Sequence, residues 1–159
     1  MPKPKTKPSI SKTIKLPNSY FERVNTSIFQ ALMQKDIFEE VKSRYWLCRA
    51  LDKVMQEAKH YFEEKQKLIR KYSQKYESDG WEKDKEGLKI IKRWKKDDPI
   101  SLPSGEPMWE DFDSFLKDLG ELQQIEIDLG INVIQFDKPP NVSVNEMMLL
   151  LPFIEEKES

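Results

Sequence analysis

The chain has 159 residues, 35% of them charged, and its 27 basic and 28 acidic residues leave a formal net charge of −1 at pH 7. This length predicts a single domain with a modest core, and the near-neutral charge excludes a strong overall attraction to nucleic acid or to a membrane surface. The single cysteine excludes an internal disulfide, and no apolar run reaches the roughly 20 residues of a membrane span, so we expect a cytoplasmic protein without membrane contact.

Residues 1–12 are rich in Pro and Lys and predict a disordered basic tail. Because no acidic residue compensates them, its lysines could bind nucleic acid; the alternative is a solvated tail that aids solubility. These lysines are Lys3, Lys5, Lys7 and Lys12. From Thr13 to Leu16 polar and apolar residues alternate, which is compatible with a short strand ending at Pro17.

Two capping patterns predict the first helices. Ser19 and Glu22 form an S-x-x-E capping box, which predicts that a helix begins there. Asp36 and Glu39 form a second box, and neither Gly nor Pro occurs from Asp36 to Glu77. We therefore expect one long helix over about 36–77.

The apolar positions of this long helix recur in steps of three and four residues, with Lys65 as the polar interruption. They are Cys48, Leu51, Met55, Ala58, Phe62, Ile69, Tyr72 and Tyr76. A second row widens them into a face: Trp46, Leu47, Val54, Tyr61 and Leu68. This width favours an intramolecular helical hairpin or bundle, and a self-associating coiled coil is the alternative.

The segment after the long helix has turn composition, and Gly80 is a candidate for its C-terminal cap. Residues 88–94 are compatible with a strand or a short helix. A basic cluster with one aromatic residue could contact phosphates and stack on a base, and the alternative is a solvated loop whose tryptophan packs on the helices. The cluster is Lys92, Arg93, Trp94, Lys95 and Lys96.

A further helix is predicted from about Trp109 to Leu122, where apolar residues share one face. Two alternating runs follow, 125–129 and 131–136. Gly130 between them indicates either a turn between two strands or a bulge within one bent strand.

The last predicted element is a short helix from Val144 to Leu151, which the S-x-x-E capping box of Ser143 and Glu146 opens. Pro152 stops or kinks this helix. Residues 155–159 are charged and predict a frayed tail.

Candidates for catalysis or metal binding are few. His60 has glutamates one turn away, but no second His or Cys stands at ligand spacing. Cys48 lies on the apolar face and is interpreted as a core residue. An acidic set could bind a divalent cation but lacks the calcium-loop pattern: Asp97, Asp98, Glu110, Asp111 and Asp113. We therefore predict no enzyme, no cofactor and no metal.

Several segments occur in a familiar order. E-K-Q-K-L-I-R-K-Y at 64–72 is followed by F-x-x-F-L-x-x-L-x-x-L at 112–122, I-E-I-D at 125–128 and V-S-x-x-E-M at 142–147. Over roughly residues 16–154 this order resembles a family of small phage and prophage proteins of unknown function, often encoded among late structural genes. The resemblance implies a viral accessory or assembly role and transfers no catalytic residue.

Together these patterns predict a mainly α fold, in which a long helical hairpin carries a small antiparallel β unit and a short C-terminal helix within one domain over 13–154. The predicted function is protein–protein interaction by a non-enzymatic phage-encoded accessory protein, in assembly or in modulation of a host system. Its partner would be a phage or host protein, or a second copy. Nucleic-acid binding through the tail and the Trp94 cluster is the alternative. The predicted contact residues are Tyr61, Phe62, Tyr72, Tyr76, Met147, Met148 and Leu150.

Overall fold

The computed structural model of the protein describes residues 12–83, 87 and 90–157, with residues 82–83 and 90–93 described by their backbone alone. The chain divides into two compact units. Unit 1 combines the residues up to 60 with those from 123 onward, whereas unit 2 is the continuous stretch 61–122. Of the predicted basic tail only Lys12 lies within the described residues, and the single domain over 13–154 stays a prediction.

Four α-helices, one 3₁₀ helix and six short strands occur in the described residues, and helices make up most of this regular structure. In chain order they are β1 (Thr13–Pro17), the 3₁₀ helix (Asn18–Arg23), α1 (Thr26–Gln34), α2 (Val41–Tyr72), β2 (Gly80–Lys83), β3 (Ile90–Trp94), α3 (Phe112–Gln124), β4 (Glu126–Asn132), β5 (Ile134–Phe136), α4 (Val144–Leu150) and β6 (Ile154–Glu156). The strands pair in twos, as β1–β4, β2–β3 and β5–β6.

In unit 1, β1 and β4 form an antiparallel pair with a bulge. Thr13 lies opposite Asn132 and Lys15 lies opposite Asp128, so two steps along β1 match four along β4. Gly130 lies within the bulge and has a φ of 68°, a left-handed conformation that glycine adopts without a steric cost. Of the two alternatives for this region, the bulged strand is therefore confirmed.

The pair β5–β6 is parallel, with Ile134 opposite Ile154. Parallel neighbours need a crossover, and α4 lies within the connection between them. The prediction of a frayed tail is wrong for Glu155 and Glu156, because both belong to β6. The sequence conceals this strand because Ile154 is its only buried residue.

The first α-helix begins later than predicted. Residues 18–23, which include the proposed capping box of Ser19 and Glu22, form the 3₁₀ helix instead. Asn25 is the N-cap of α1, and its side-chain oxygen accepts hydrogen bonds from two amides of the first turn at 3.0 and 3.2 Å. Asparagine is a preferred N-cap because it satisfies amides that lack partners within the helix.

The long helix α2 is shorter than predicted. It begins at Val41, so the capping box of Asp36 and Glu39 is wrong. Asp36 instead accepts a hydrogen bond from the guanidinium of Arg44 at 2.8 Å, and Glu39 pairs with Lys138 at 2.9 Å.

Contacts outside the helix account for both of its ends. Before its start, Ile37 and Phe38 lie in non-helical backbone and their side chains are buried. Burial of these two large apolar side chains stabilises the fold more than five additional residues of exposed helix would. After its end, the backbone of Ser73 bridges to that of Trp109. Gly80, the predicted C-terminal cap, lies in β2.

Along α2 a row of side chains is buried, and each is at most 5% exposed. In unit 1 the row consists of Leu47, Ala50, Leu51, Val54 and Ala58. Near the start of α2, the thiol of Cys48 donates a hydrogen bond to the carbonyl of Met33 in α1 at 3.4 Å. The buried face of the long helix is thus close to the predicted one, although Trp46 is exposed.

In unit 2, β2 and β3 form an antiparallel hairpin, which resolves residues 90–94 as a strand. The helix α3 begins at Phe112 rather than at Trp109. The carboxylate of Asp111 accepts hydrogen bonds from the hydroxyl of Ser114 at 2.6 Å and from its amide at 3.1 Å, and these two bonds lower the pKa of Asp111. The ring of Trp109 stacks on that of Phe115, with centroids 4.3 Å apart.

Gly80 and Trp94 form the last pair of the hairpin and lie in close contact. An ideal Cβ at Gly80 would overlap the six-membered ring of the Trp94 indole. The indole also stacks on the ring of Tyr76, with centroids 4.8 Å apart and an interplanar angle of 15°. A side chain at position 80 would therefore displace the indole of Trp94, which is also held by its stacking on Tyr76.

We expect Gly80→Ala to lower the free energy of unfolding by about 1–3 kcal/mol, because Trp94 must leave its stacked position. Gly120→Ala is the matched control. Its Cβ would meet no atom within 4 Å, and alanine in the interior of α3 should stabilise by about 0.5–1 kcal/mol. Urea unfolding of both variants measures these values, and equal effects of the two substitutions would contradict the packing of Gly80 on Trp94.

Candidate interaction surfaces

The helix α4 exposes an apolar stripe on unit 1. Val144 is 78% exposed, Met148 66% and Leu151, the C-cap residue, 58%. These positions are i, i+4 and i+7, so the three side chains share one face. Of the predicted contact residues in this helix, Met148 is part of the stripe, whereas Met147 is half-buried and Leu150 is fully buried.

Hydrogen bonds and an ion pair hold the start of α4. Ser143 and Glu146 form the predicted capping box: the amide of Ser143 donates to Glu146 at 2.9 Å, and the amide of Glu146 donates to the Ser143 hydroxyl at 3.2 Å. Glu146 also pairs with Lys35 at 2.7 Å. The bond to Lys35, followed by the bond to the Ser143 amide, lowers the pKa of Glu146. The glutamate is therefore charged at neutral pH, as these contacts require.

Two aromatic rings, the half-buried Tyr20 and the buried Phe153, lie beside the same helix. The hydroxyl of Tyr20 donates to the carbonyl of Leu149 at 3.4 Å. The Tyr20 ring meets that of Phe153 edge-on, with centroids 6.0 Å apart, and Phe153 is fully buried. Burial raises the pKa of Tyr20 from 10.0 to about 12. Since the charged phenolate is poorly solvated there, Tyr20 acts as a neutral anchor for α4.

The predicted aromatic contact residues of unit 2 are less accessible. Tyr61 is 2% exposed, which leaves almost no surface for a partner. Phe62, Tyr72 and Tyr76 are half-buried. Tyr72 donates a hydrogen bond to Asp118, and this bond, followed by burial, raises the pKa of Tyr72. Whether these residues bind a partner stays a prediction.

Of the predicted nucleic-acid residues, Lys3, Lys5 and Lys7 lie outside the described residues. Lys12, Lys95 and Lys96 are exposed, and Lys92 and Arg93 lie in β3. Trp94, the proposed stacking residue, is half-buried and stacks on Tyr76 within the protein.

Sequence reasoning missed Trp81, which is 60% exposed. Gly80 and Trp94 pair at the end of the hairpin, and successive strand residues point to opposite faces, so the residue after Gly80 points away from the buried side. The sequence signal for an exposed Trp81 was therefore its position directly after Gly80. This signal can be used only once residues 80–83 are known to form a strand.

The candidate catalytic and metal-binding residues lie on α2, in the segment after β3 and at the start of α3. Cys48 is half-buried, and burial raises the pKa of its thiol, which disfavours the nucleophilic thiolate. His60 is an exposed residue of α2. Asp111 caps α3, and Asp98 accepts a hydrogen bond from the backbone amide of Lys95 at 3.2 Å. Among the described residues, no group of three or more His, Cys, Asp and Glu side chains is arranged to hold a metal ion.

An open groove of about 1030 Å³ lies in unit 1, between the start of α2 and the residues of β4 to β6. Its apolar lining consists of Trp46, Ile131, Val133 and Ile134. Three lysines and three glutamates also line it: Lys12, Lys42, Lys157, Glu40, Glu155 and Glu156. The formal charges of this lining cancel, so the net charge of the groove favours neither an anionic nor a cationic ligand.

No protein family matches the chain, and neither a curated protein nor a solved structure is significantly similar to it. Within the described part of the chain, no helix combines the length and the apolar character needed to cross a bilayer.

The raised pKa of Tyr20 predicts a loss of stability in alkali. Because the folded-state pKa of about 12 exceeds the ordinary value of 10.0, neutral Tyr20 stabilises the fold below pH 10, and this contribution disappears as the pH rises to 12. We expect the wild type to lose about 2 kcal/mol more than Tyr20→Phe over this range. Urea unfolding at pH 8, 10 and 12 measures the difference, and parallel pH profiles would show that Tyr20 titrates as an exposed phenol.

Proposed function

We propose that this chain is a non-enzymatic accessory protein that binds another protein through the apolar stripe of α4. In keeping with the resemblance of its segments to small phage proteins, we propose a phage-encoded protein that acts in the host cytoplasm. Its task would be virion assembly or the modulation of a host system, and its partner a phage or host protein.

The observation that supports this proposal is the exposure of the stripe. Full burial of a Val, Met or Leu side chain contributes about 1.5–3 kcal/mol, and all three residues of the stripe remain more than half exposed. Anchors at i, i+4 and i+7 on one helix face are the pattern by which an amphipathic helix binds an apolar groove of its partner. Val144, Met148 and Leu151 fit this mode.

The support beneath the stripe favours the same function. Leu150 is buried on the opposite side of α4, and the capping box and Lys35 hold its first turn. A helix held in this way loses little conformational entropy when it binds, so a larger part of the contact free energy appears as affinity.

The arrangement of the first two α-helices is also part of this proposal. We propose that α1 and α2 form the predicted helical hairpin, which the contact between Cys48 and Met33 supports. Self-association as a coiled coil through α2 is less favoured, because Leu47, Leu51 and Val54 are already buried within the chain. A homo-oligomer through α4 is compatible with the stripe.

Met148→Asp tests the proposed surface. We expect this substitution to weaken partner binding at least tenfold, because a charge would enter an apolar contact while the exposed position leaves the fold intact. The measurement compares tagged wild-type and variant protein in pull-downs from host cells after nuclease treatment, with captured partners then titrated directly.

Leu102→Asp is the matched control, since Leu102 is an exposed leucine in unit 2 at 40%. It should retain every partner that the wild type captures. If Met148→Asp retained them equally well, the stripe would not be the binding surface. Light scattering of the same proteins establishes whether the partner is a second copy.

A further inference from the structure

The hairpin of β2 and β3 in unit 2 presents an exposed indole, that of Trp81, beside a basic strand. Lys92 is the Cα partner of Trp81 across the hairpin, and Arg93 lies at the shift of register between Trp81 and Gly80. Four of the five residues from Lys92 to Lys96 are basic, and none is acidic. The aromatic residue and the positive charge are thus placed together by strand register, although ten residues separate them in sequence.

The two tryptophans of the hairpin have different surroundings. Trp94 contacts Gly80 and stacks on Tyr76, so its ring fixes the hairpin to its own unit. Trp81 follows Gly80 on the strand and therefore faces the other way, with 60% of its surface exposed. Because the Trp94 ring is anchored, the hairpin presents the exposed Trp81 ring in a fixed position.

Near the end of β3, the lysine side chains can contact a ligand, whereas the backbone amides of the same residues are already hydrogen-bonded. Lys95 and Lys96 are exposed. Their backbone amides already donate to carboxylates, that of Lys95 to Asp98 at 3.2 Å and that of Lys96 to Asp79 at 2.8 Å. The carboxylates of Asp79 and Asp98 are held at the backbone by these bonds. The ammonium groups of Lys95 and Lys96 are carried on long flexible stems and can reach a phosphate away from the carboxylates.

We propose that this hairpin binds single-stranded nucleic acid, with Trp81 stacking on a base and with the exposed lysines Lys95 and Lys96 contacting phosphates. A combination of an aromatic platform and a basic surface binds single strands without sequence preference, because every base has a π-face. A duplex is disfavoured, since its stacked bases offer no open face to the indole. The site lies in unit 2, whereas the stripe on α4 belongs to unit 1.

Fluorescence anisotropy of labelled 20-mers of dT and of U tests the proposal with the full chain. We expect binding that weakens as salt rises from 50 to 200 mM, and Trp81→Ala should weaken it about 5- to 150-fold, from a stacking contribution of about 1–3 kcal/mol per base. Trp81→Phe should retain most of the affinity, because a phenyl ring still stacks. The double variant K95Q/K96Q should reduce the slope of log K against log salt by about 1.4.

Trp46→Ala is the matched control, because Trp46 is an exposed tryptophan of unit 1 at 41% and should not affect this binding. Circular dichroism establishes that each variant is folded. Binding to either strand with these effects supports the proposal, and the ratio of the two affinities gives the preference for ribose or deoxyribose. The proposal is overturned by a lack of binding at 50 mM salt or by tighter binding of a duplex of the same length. Equal losses of affinity for Trp81→Ala and Trp46→Ala would also overturn it.

Discussion

Burial of one face of α2 is the constraint on which the rest of the structure depends. A helix of 32 residues with so many charged side chains gains little from intrinsic propensity and is stabilised chiefly by packing. The row of Leu47, Leu51, Val54 and Ala58 supplies that packing in unit 1. Loss of one large side chain from such a row typically costs about 2–5 kcal/mol, a large part of the 5–15 kcal/mol that stabilises a typical domain. The short strands, which pair only in twos, could not hold together without it.

The elements that were predictable have a strong local signal. The buried face of α2, the strand at Thr13 and the capping box of Ser143 all follow from periodicity or from residue types with a specific backbone role. At Gly130 the residue type indicates an irregularity but leaves a turn and a bulge as alternatives. The error at the start of α2 has a tertiary cause. Asp36 has the composition of an N-cap, but the burial of Ile37 and Phe38 depends on tertiary contacts that no window of sequence contains.

The candidate surfaces were predictable only in part, for a related reason. The sequence places Met147, Met148 and Leu150 on one short helix, but it does not tell which side of α4 is covered. That depends on Tyr20 and Phe153, which approach from other elements. Likewise, Trp81 and Trp94 look alike in sequence until the register of the hairpin shows that one of them contacts Gly80. In both surfaces an exposed apolar side chain lies next to a side chain that is packed within the protein and fixes its position.

The division of the chain has a consequence for the order of folding. Unit 2 is one continuous stretch, so all its internal contacts become available once residue 122 has been synthesised. Unit 1 instead joins β1 to β4 across more than a hundred residues, and α4 is not held at both ends until β6 has been made. Such long-range pairing pays a large loop-closure entropy before it yields contacts, and it is slow. The nascent chain should therefore pass through a stage in which unit 2 is formed while the apolar face of α2 in unit 1 still awaits the strands that complete its fold.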